Sequence, residues 1–217
     1  MPVFLDLDNT LVDRDAAFSQ WADVAVASWG GEASDAEWLI RADAHGYTPR
    51  AELAAMILER LKPDTSDLDV LVAQLLYEHV DFIECYPGVL AQLDGLAAIG
   101  ERLVIVTNGD SQQQRMKLRR TALAEIVTGS VISGELGFKK PDARIFAAAR
   151  EVAQADGIAW MVGDHAEADI AGGRAAGLAT AWVAHGRLWS EPWAPTLMCD
   201  GTAEVLALIN SSVRSAR

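Results

Sequence analysis

The chain has 217 residues, the size of one domain or of one core domain carrying an insertion. Apolar residues make up 51 % and charged residues 23 %, which supplies a core and excludes wholesale disorder, while the longest uncharged run, Ala175 to Gly186, is too short to span a bilayer. A net charge of −13 repels phosphate backbones, so a nucleic-acid partner is not expected.

In chain order, Val3–Leu7 reads as a short strand buried on both faces. From Asp15 to Glu84 no strand pattern occurs. Four amphipathic helices are predicted there, Ala16–Trp29, Ser34–Ala44, Pro49–Leu61 and Ser66–Phe82, punctuated by Gly30-Gly31, Gly46 and Lys62-Pro63. Strand–helix alternation then begins. Pro87-Gly88 opens a helix over Val89–Ala98, which Gly100 closes, and Leu103–Thr107 is a strand. Asp110-Ser111 caps the next helix, and Val131–Ile132 is a strand. Pro141-Asp142 starts a helix that Gly157 ends. Trp160–Val162 is a strand, Asp169–Ala176 a helix stopped by Gly177, and Thr180–Ala184 a strand; Ser211–Arg217 is expected to fray. The alternation predicts an α/β fold: a doubly wound, Rossmann-like parallel sheet core with an inserted all-helical cap domain. The expected core is residues 1–14 and 85–217, and the expected cap is residues 15–84.

Asp6 and Asp8 interrupt the first apolar stretch and no basic residue precedes it, which argues against a secretory leader. Cys85 and Cys199 are widely spaced and lack a zinc pattern, so reduced thiols in a cytoplasmic protein are expected.

Open α/β sheets bind ligands beyond the carboxyl ends of their strands. The first strand ends Asp6-Leu7-Asp8-Asn9-Thr10, and a two-residue pleat would turn both carboxylates to one side. Like charges that close are costly unless a cation or a reaction requires them. Leu103–Thr107 runs into Thr107-Asn108-Gly109, Lys139-Lys140 stands before Pro141, and Trp160–Val162 runs into Gly163-Asp164-His165 and on to Asp169. Asp6, Asp8, Asp164 and Asp169 bring four negative charges and Lys140 returns one. Magnesium suits such a site, taking a few carboxylates together with waters and a substrate oxygen. A carboxylate nucleophile could then run phosphoryl transfer.

This order of motifs resembles the haloacid dehalogenase superfamily, in its branch with a helical cap after the first strand. The run Asp6-Leu7-Asp8-Asn9-Thr10 is similar to that family's nucleophile loop, Thr107-Asn108 to its second motif, Lys140-Pro141 to its third, and Gly163-Asp164 through Asp169 to its fourth. The resemblance implies a magnesium-dependent phosphatase acting on a small phosphorylated metabolite through an aspartyl-phosphate. Asp6 would attack phosphorus, and Asp8 would serve as acid and then base. Thr107, the backbone around Asn108 and Lys140 would hold the phosphate. Asp6, the Asp8 carbonyl and Asp164 would bind Mg2+, with Asp169 supporting it. Lys139 is the weaker lysine candidate, because the family's residue directly precedes proline. The carboxylic acid at Asp8 disfavours a 2-haloacid dehalogenase, whose halide needs no proton. A sugar phosphomutase keeps both aspartates and remains an alternative. A receiver-like signalling domain or a ligand-binding relative is the non-enzyme one.

Other residues read more plainly. His165 is expected to face solvent, and Arg115, Lys117, Arg119 and Arg120 to form a solvated helix face. Trp21, Trp29 and Trp38, with Trp182, Trp189 and Trp193, are assigned chiefly to packing. Arg14, Trp21, Arg41, His45, Tyr47 and Arg50 are candidate substrate selectors on the helical block, and the loop 185–193 has no assigned role.

Overall fold

The computed structural model describes residues 1–63, 67–155 and 157–215. They divide into two compact units, Met1–Val12 with Cys85–Arg217, and Asp13–Glu84.

The first unit is built on a six-stranded parallel sheet: β1 (Val3–Leu5), β2 (Leu103–Thr107), β3 (Gly129–Ile132), β4 (Trp160–Gly163), β5 (Ala179–Val183) and β6 (Leu197–Cys199), in the spatial order β3-β2-β1-β4-β5-β6. Central β1 and β2 are buried throughout, which is why they read as continuous apolar runs and not as alternation. On one face Phe4, Val104, Val106 and Met161 pack with Ile145, Phe146 and Ala149 of the helix Ala143–Ala153. On the other, Val89–Ala98 lies beside the last helix, Thr202–Ser215. Each fully buried Leu, Ile, Val or Phe here contributes about 1.5–3 kcal/mol, which offsets the cost of crowding charge at the sheet's edge.

The fold differs from the sequence expectation in three places. β6 was not predicted: it is a three-residue edge strand, too short and too exposed at Met198 to leave an alternating signature. The expected helix at 169–176 starts earlier, as a turn of π-helix over Ala166–Ala171 that tightens into an α-turn at Gly172–Ala175. The carboxyl-terminal helix runs to Ser215 instead of fraying from Ser211, because Val213 is still buried.

The second unit consists of α1 (Arg14–Ser28), α2 (Ala33–Asp43), α3 (Arg50–Arg60), α4 (Leu68–Tyr77) and a 3-10 turn over Glu78–Phe82. Ser66, the expected start of the fourth helix, lies outside the described residues, and Asp67 caps that helix through Asp69 N and Val70 N. Phe18, Trp21, Leu39, Leu53, Ile57, Leu71 and Leu75 form its core, with Trp29 and Trp38 against it.

A buried ion cluster is set into this core. The Asp43 carboxylate accepts from Arg14 Nη1, from Arg14 Nη2 at 2.8 Å and from Arg50 Nη1 at 2.6 Å. It also accepts from Gly46 N at 2.8 Å. Burial works against this charge, but the two guanidinium groups prevail and hold the Asp43 carboxyl below the usual carboxylate range. Arg14 further stacks on Phe18, and Trp21 Nε1 donates to Glu78 Oε2 at 2.8 Å. Arg14 and Trp21 are therefore interior members of this unit, not displayed selectors. Among the other candidates Arg41 pairs with Glu37, His45 with Asp15, and the Tyr47 ring is exposed. No helix among the described residues is long and apolar enough to cross a membrane.

Candidate active site

β1 lies between β2 and β4, so the strand order reverses at β1 and the loops leaving β1 and β4 diverge around a crevice. Asp6 follows β1 and donates its N–H to the Val162 carbonyl at 2.9 Å, which pins it beside the end of β4. Thr107 ends β2, and Asp164 follows β4.

Lys140 reaches this edge from the loop before the Ala143–Ala153 helix. Its Nζ lies 2.6 Å from Asp6 Oδ1 and 2.7 Å from Asp169 Oδ1, and the lysine is only 3 % exposed. The other Asp6 oxygen accepts from Thr10 Oγ1 at 3.3 Å. Lys139, its neighbour, is exposed. Asp169 is held on both sides, since its Oδ2 accepts from His165 N at 3.0 Å. Gly163 makes room for it: a Cβ at that position would fall 2.3 Å from Asp169 Cγ. Asp6, Asp164 and Asp169 thus place carboxylate oxygens within 4.8 Å of one another.

That crowding is visible in the electrostatics. Burial above all, with Asp169 and Asp8 nearby, pushes the Asp6 carboxyl up to about 7 despite the opposing Lys140. Burial, then Asp6 and Asp169, push Asp164 up to about 8, against the pull of Arg187. Burial disfavours the Lys140 charge, yet Asp169 and Asp6 outweigh it and hold the ammonium above the ordinary lysine range. A pocket whose carboxyls resist ionising has the donor set and the unmet negative charge that suit a hard dication. Asp6 and Asp164 fit as its carboxylate ligands, while both oxygens of Asp169 have protein donors and suit a supporting role.

Asp8 departs from the expectation that it shares a side with Asp6. The strand stops at Leu5 and the chain turns through Leu7, whose carbonyl accepts from Thr10 N, Leu11 N and Val12 N, so the pleat no longer governs position 8. Its carboxylate is bound instead by Lys117 Nζ, at 2.7 and 2.8 Å, and by Gln114 Nε2 at 2.9 Å. Lys117 is 1 % exposed, which corrects its reading as part of a solvated face; Arg115, Arg119 and Arg120 do stay exposed. The signal lay in the spacing Gln114, Lys117, Leu118, Thr121, a single stripe of the helix Ser111–Arg120 that continues into the core.

The remaining residues sort by what their side chains touch. Thr107 Oγ1 accepts from Gln114 Nε2 at 2.7 Å. The Asn108 amide clamps the main chain of Lys140, donating to its carbonyl at 3.1 Å and accepting from its N–H at 2.8 Å. Asn108 therefore sets the lysine loop with its side chain. His165 does not face solvent: its Nδ1 accepts from Glu167 N and Ala168 N and so caps the turn that carries Asp169. The loop 185–193 leans on the same edge. Arg187 Nη2 meets Asp164 Oδ2 at 3.1 Å, Trp182 Nε1 donates to the Asp164 carbonyl, and His185 stacks on Tyr86 while bonding the Asn9 carbonyl. Trp182, Trp189 and Trp193 form an edge-to-face series that stiffens this loop.

A haloacid dehalogenase-like hydrolase family model matches residues 3–183, and the chain belongs to that family. It is 40 % identical over 126 residues to the pyrimidine 5'-nucleotidase YjjG of Escherichia coli, covering 57 % of this chain and 56 % of that protein. It is 38 % identical over 125 residues to a phosphoserine phosphatase of Thermus thermophilus, covering 55 % of this chain and 49 % of the relative. The chain thus spans about half the length of these curated relatives. In fold it resembles a haloacid dehalogenase-superfamily hydrolase, subfamily IA, variant 1, from Geobacter sulfurreducens, with a TM-score of 0.72, 19 % identity and coverage of 96 % and 95 % of the two chains.

Proposed function

We propose that this chain is a magnesium-dependent phosphatase that hydrolyses a small phosphate monoester through an aspartyl-phosphate on Asp6. One observation carries the reading: the Asp6 carboxylate, gripped by Lys140 at 2.6 Å, stands in an acidic cluster at the ends of two adjacent parallel strands. The relatives named for a nucleotidase and a phosphoserine phosphatase support a phosphate monoester as substrate.

In the first half-reaction an Asp6 oxygen bonds to phosphorus, the phosphorus–ester oxygen bond breaks, and Asp8 gives the departing alkoxide its proton. In the second, Asp8 takes a proton from water as that water attacks phosphorus. The bond to Asp6 then breaks, leaving inorganic phosphate and a restored carboxylate. Lys140 offsets charge on Asp6 and on the phosphoryl oxygens, with Thr107 and the backbone at Asn108 as further phosphate contacts. Asp6, the Asp8 carbonyl and Asp164 would hold Mg2+, and Asp169 would support the set. When bound, the ion supplies charge neutralisation and a fixed orientation for the phosphoryl group. In this reading the helical unit Asp13–Glu84 is the cap that selects the leaving group.

The test is phosphate release from a panel of alkyl and aryl monoesters, with magnesium and with chelator. Magnesium-dependent release is expected, and silence across nucleotide, sugar and amino-acid phosphates would overturn the reading.

A second expectation follows from the raised carboxyls. Asp6 and Asp164 titrate near 7 and 8 in the folded protein, against about 3.9 for an unfolded Asp. The folded state therefore binds more protons than the unfolded one between those values, and each group's contribution to stability falls as pH rises through that window. Magnesium binds the ionised forms, so its stabilisation should grow with pH. Thermal melts with and without magnesium are expected to differ by several degrees at a pH of about 8 and by little at about 5.5. An equal shift at both, or a larger one in acid, would count against this metal site.

A further inference from the structure

We infer that Lys117 and Gln114 are positioning residues for Asp8: they hold its carboxylate at the angle from which it delivers a proton to the leaving group. This rests on the acid role proposed for Asp8. The Lys117 ammonium spans both Asp8 oxygens, at 2.7 and 2.8 Å, and Gln114 Nε2 adds a third bond to Oδ2 at 2.9 Å. Two donors from different turns of one helix fix the plane of the carboxylate, which a single contact would leave free to rotate. The grip is one-sided: the Lys117 side chain is 2 % exposed and that of Asp8 26 %. The carboxylate is anchored from within the protein and presented outward.

The Gln114 amide can be oriented only one way. Its Nε2 faces three acceptors, the Asp8 carboxylate, Thr107 Oγ1 and the Asn108 carbonyl, so the nitrogen must be the donor there. The same amide therefore ties the acid to the end of β2, where Thr107 and Asn108 stand. Gly109, at φ +147°, brings its backbone against this side chain, and a Cβ there would press on Gln114 Cδ at 3.2 Å. Burying a lysine to hold a partly exposed carboxylate is a poor way to gain stability, because desolvation consumes much of the attraction. It is a direct way to fix geometry, and a misplacement of about 1 Å in a proton donor can cost about a hundredfold in rate.

The discriminating readout is leaving-group dependence. p-Nitrophenolate departs without a proton, whereas an alkoxide needs one. The full-length protein with magnesium would be assayed for kcat/KM on p-nitrophenyl phosphate, phenyl phosphate and glycerol phosphate, as wild type, Asp8→Asn, Lys117→Met and Lys117→Arg. Lys117→Met is expected to lose at least about tenfold more on glycerol phosphate than on p-nitrophenyl phosphate, in the same direction as Asp8→Asn, with Lys117→Arg recovering part of the loss. Equal losses on all three esters, with Asp8→Asn still dependent on the leaving group, would make Lys117 merely structural and leave the phosphatase reading standing. If Asp8→Asn itself shows no leaving-group dependence, the acid role falls and this inference with it. Should Lys117→Met fail to fold, Gln114→Leu reads the same point: a smaller loss with the same ester dependence is expected, and a uniform loss overturns the proposal.

Discussion

Asp6→Asn is expected to lower phosphate release by at least about a thousandfold while leaving the thermal midpoint within a few degrees of wild type. The two halves of this result have separate causes. An amide oxygen is a far weaker nucleophile than a carboxylate, and no other carboxylate can take its place. Asp169 is held by Lys140 and His165 N, Asp164 meets Arg187, and Asp8 is held by Lys117 and Gln114. Stability should barely change, because the lost Lys140 pairing is set against relief of a carboxyl that burial and Asp169 already push up to about 7. Above that pH the variant removes a strained charge, so in the absence of metal it should lose less stability with rising pH than wild type does. The measurements are a phosphate assay and melts across pH. Residual activity within tenfold of wild type would remove Asp6 from the nucleophile's role.

Asp43→Ala is expected to be the most destabilising single change in the helical unit, by about 3–5 kcal/mol, because it strands Arg14 in the core without a counter-ion. Arg14 is 4 % exposed and cannot simply swing into water. The substitution also removes the acceptor for Gly46 N, in a turn where Ala44 and His45 hold left-handed backbone at φ 48° and 57°. Since the Asp43 carboxyl is held below its usual range, its contribution is complete at neutral pH and is lost as pH falls through the carboxylate range. Wild type should therefore converge on the variant in acid. Urea unfolding followed by far-ultraviolet circular dichroism gives the number, and a loss under about 1 kcal/mol at neutral pH would show that the unit re-forms around an unpaired arginine.

Much of this was legible before any coordinates. The apolar runs at 3–5, 103–107 and 160–163 announced buried parallel strands, because a strand covered on both faces has no polar side to interrupt it. Asp110 and Asp142 marked helix starts through a local bond from carboxylate to backbone N–H that involves only neighbouring residues. Edge strand β6 and the wide turn at 166–171 left no such trace, since both depend on what lies beside them. The same division holds at the site. The acids and the lysine could be named from their places at strand ends, but their pairings could not.

From the order of its residues alone, the chain determined which segments become strands and helices, and that Asp6, Asp8, Lys140, Asp164 and Asp169 stand where a parallel sheet gathers its loops. Only the tertiary structure decided that Lys140 bridges Asp6 and Asp169, that Asn108 clamps the lysine loop, and that Lys117 leaves its basic neighbours to take hold of Asp8. The reason is physical. Secondary structure follows from periodicities and caps read over a few residues, whereas a buried charge is placed by partners more than a hundred positions away, and its ionisation is set by how much water the rest of the fold excludes.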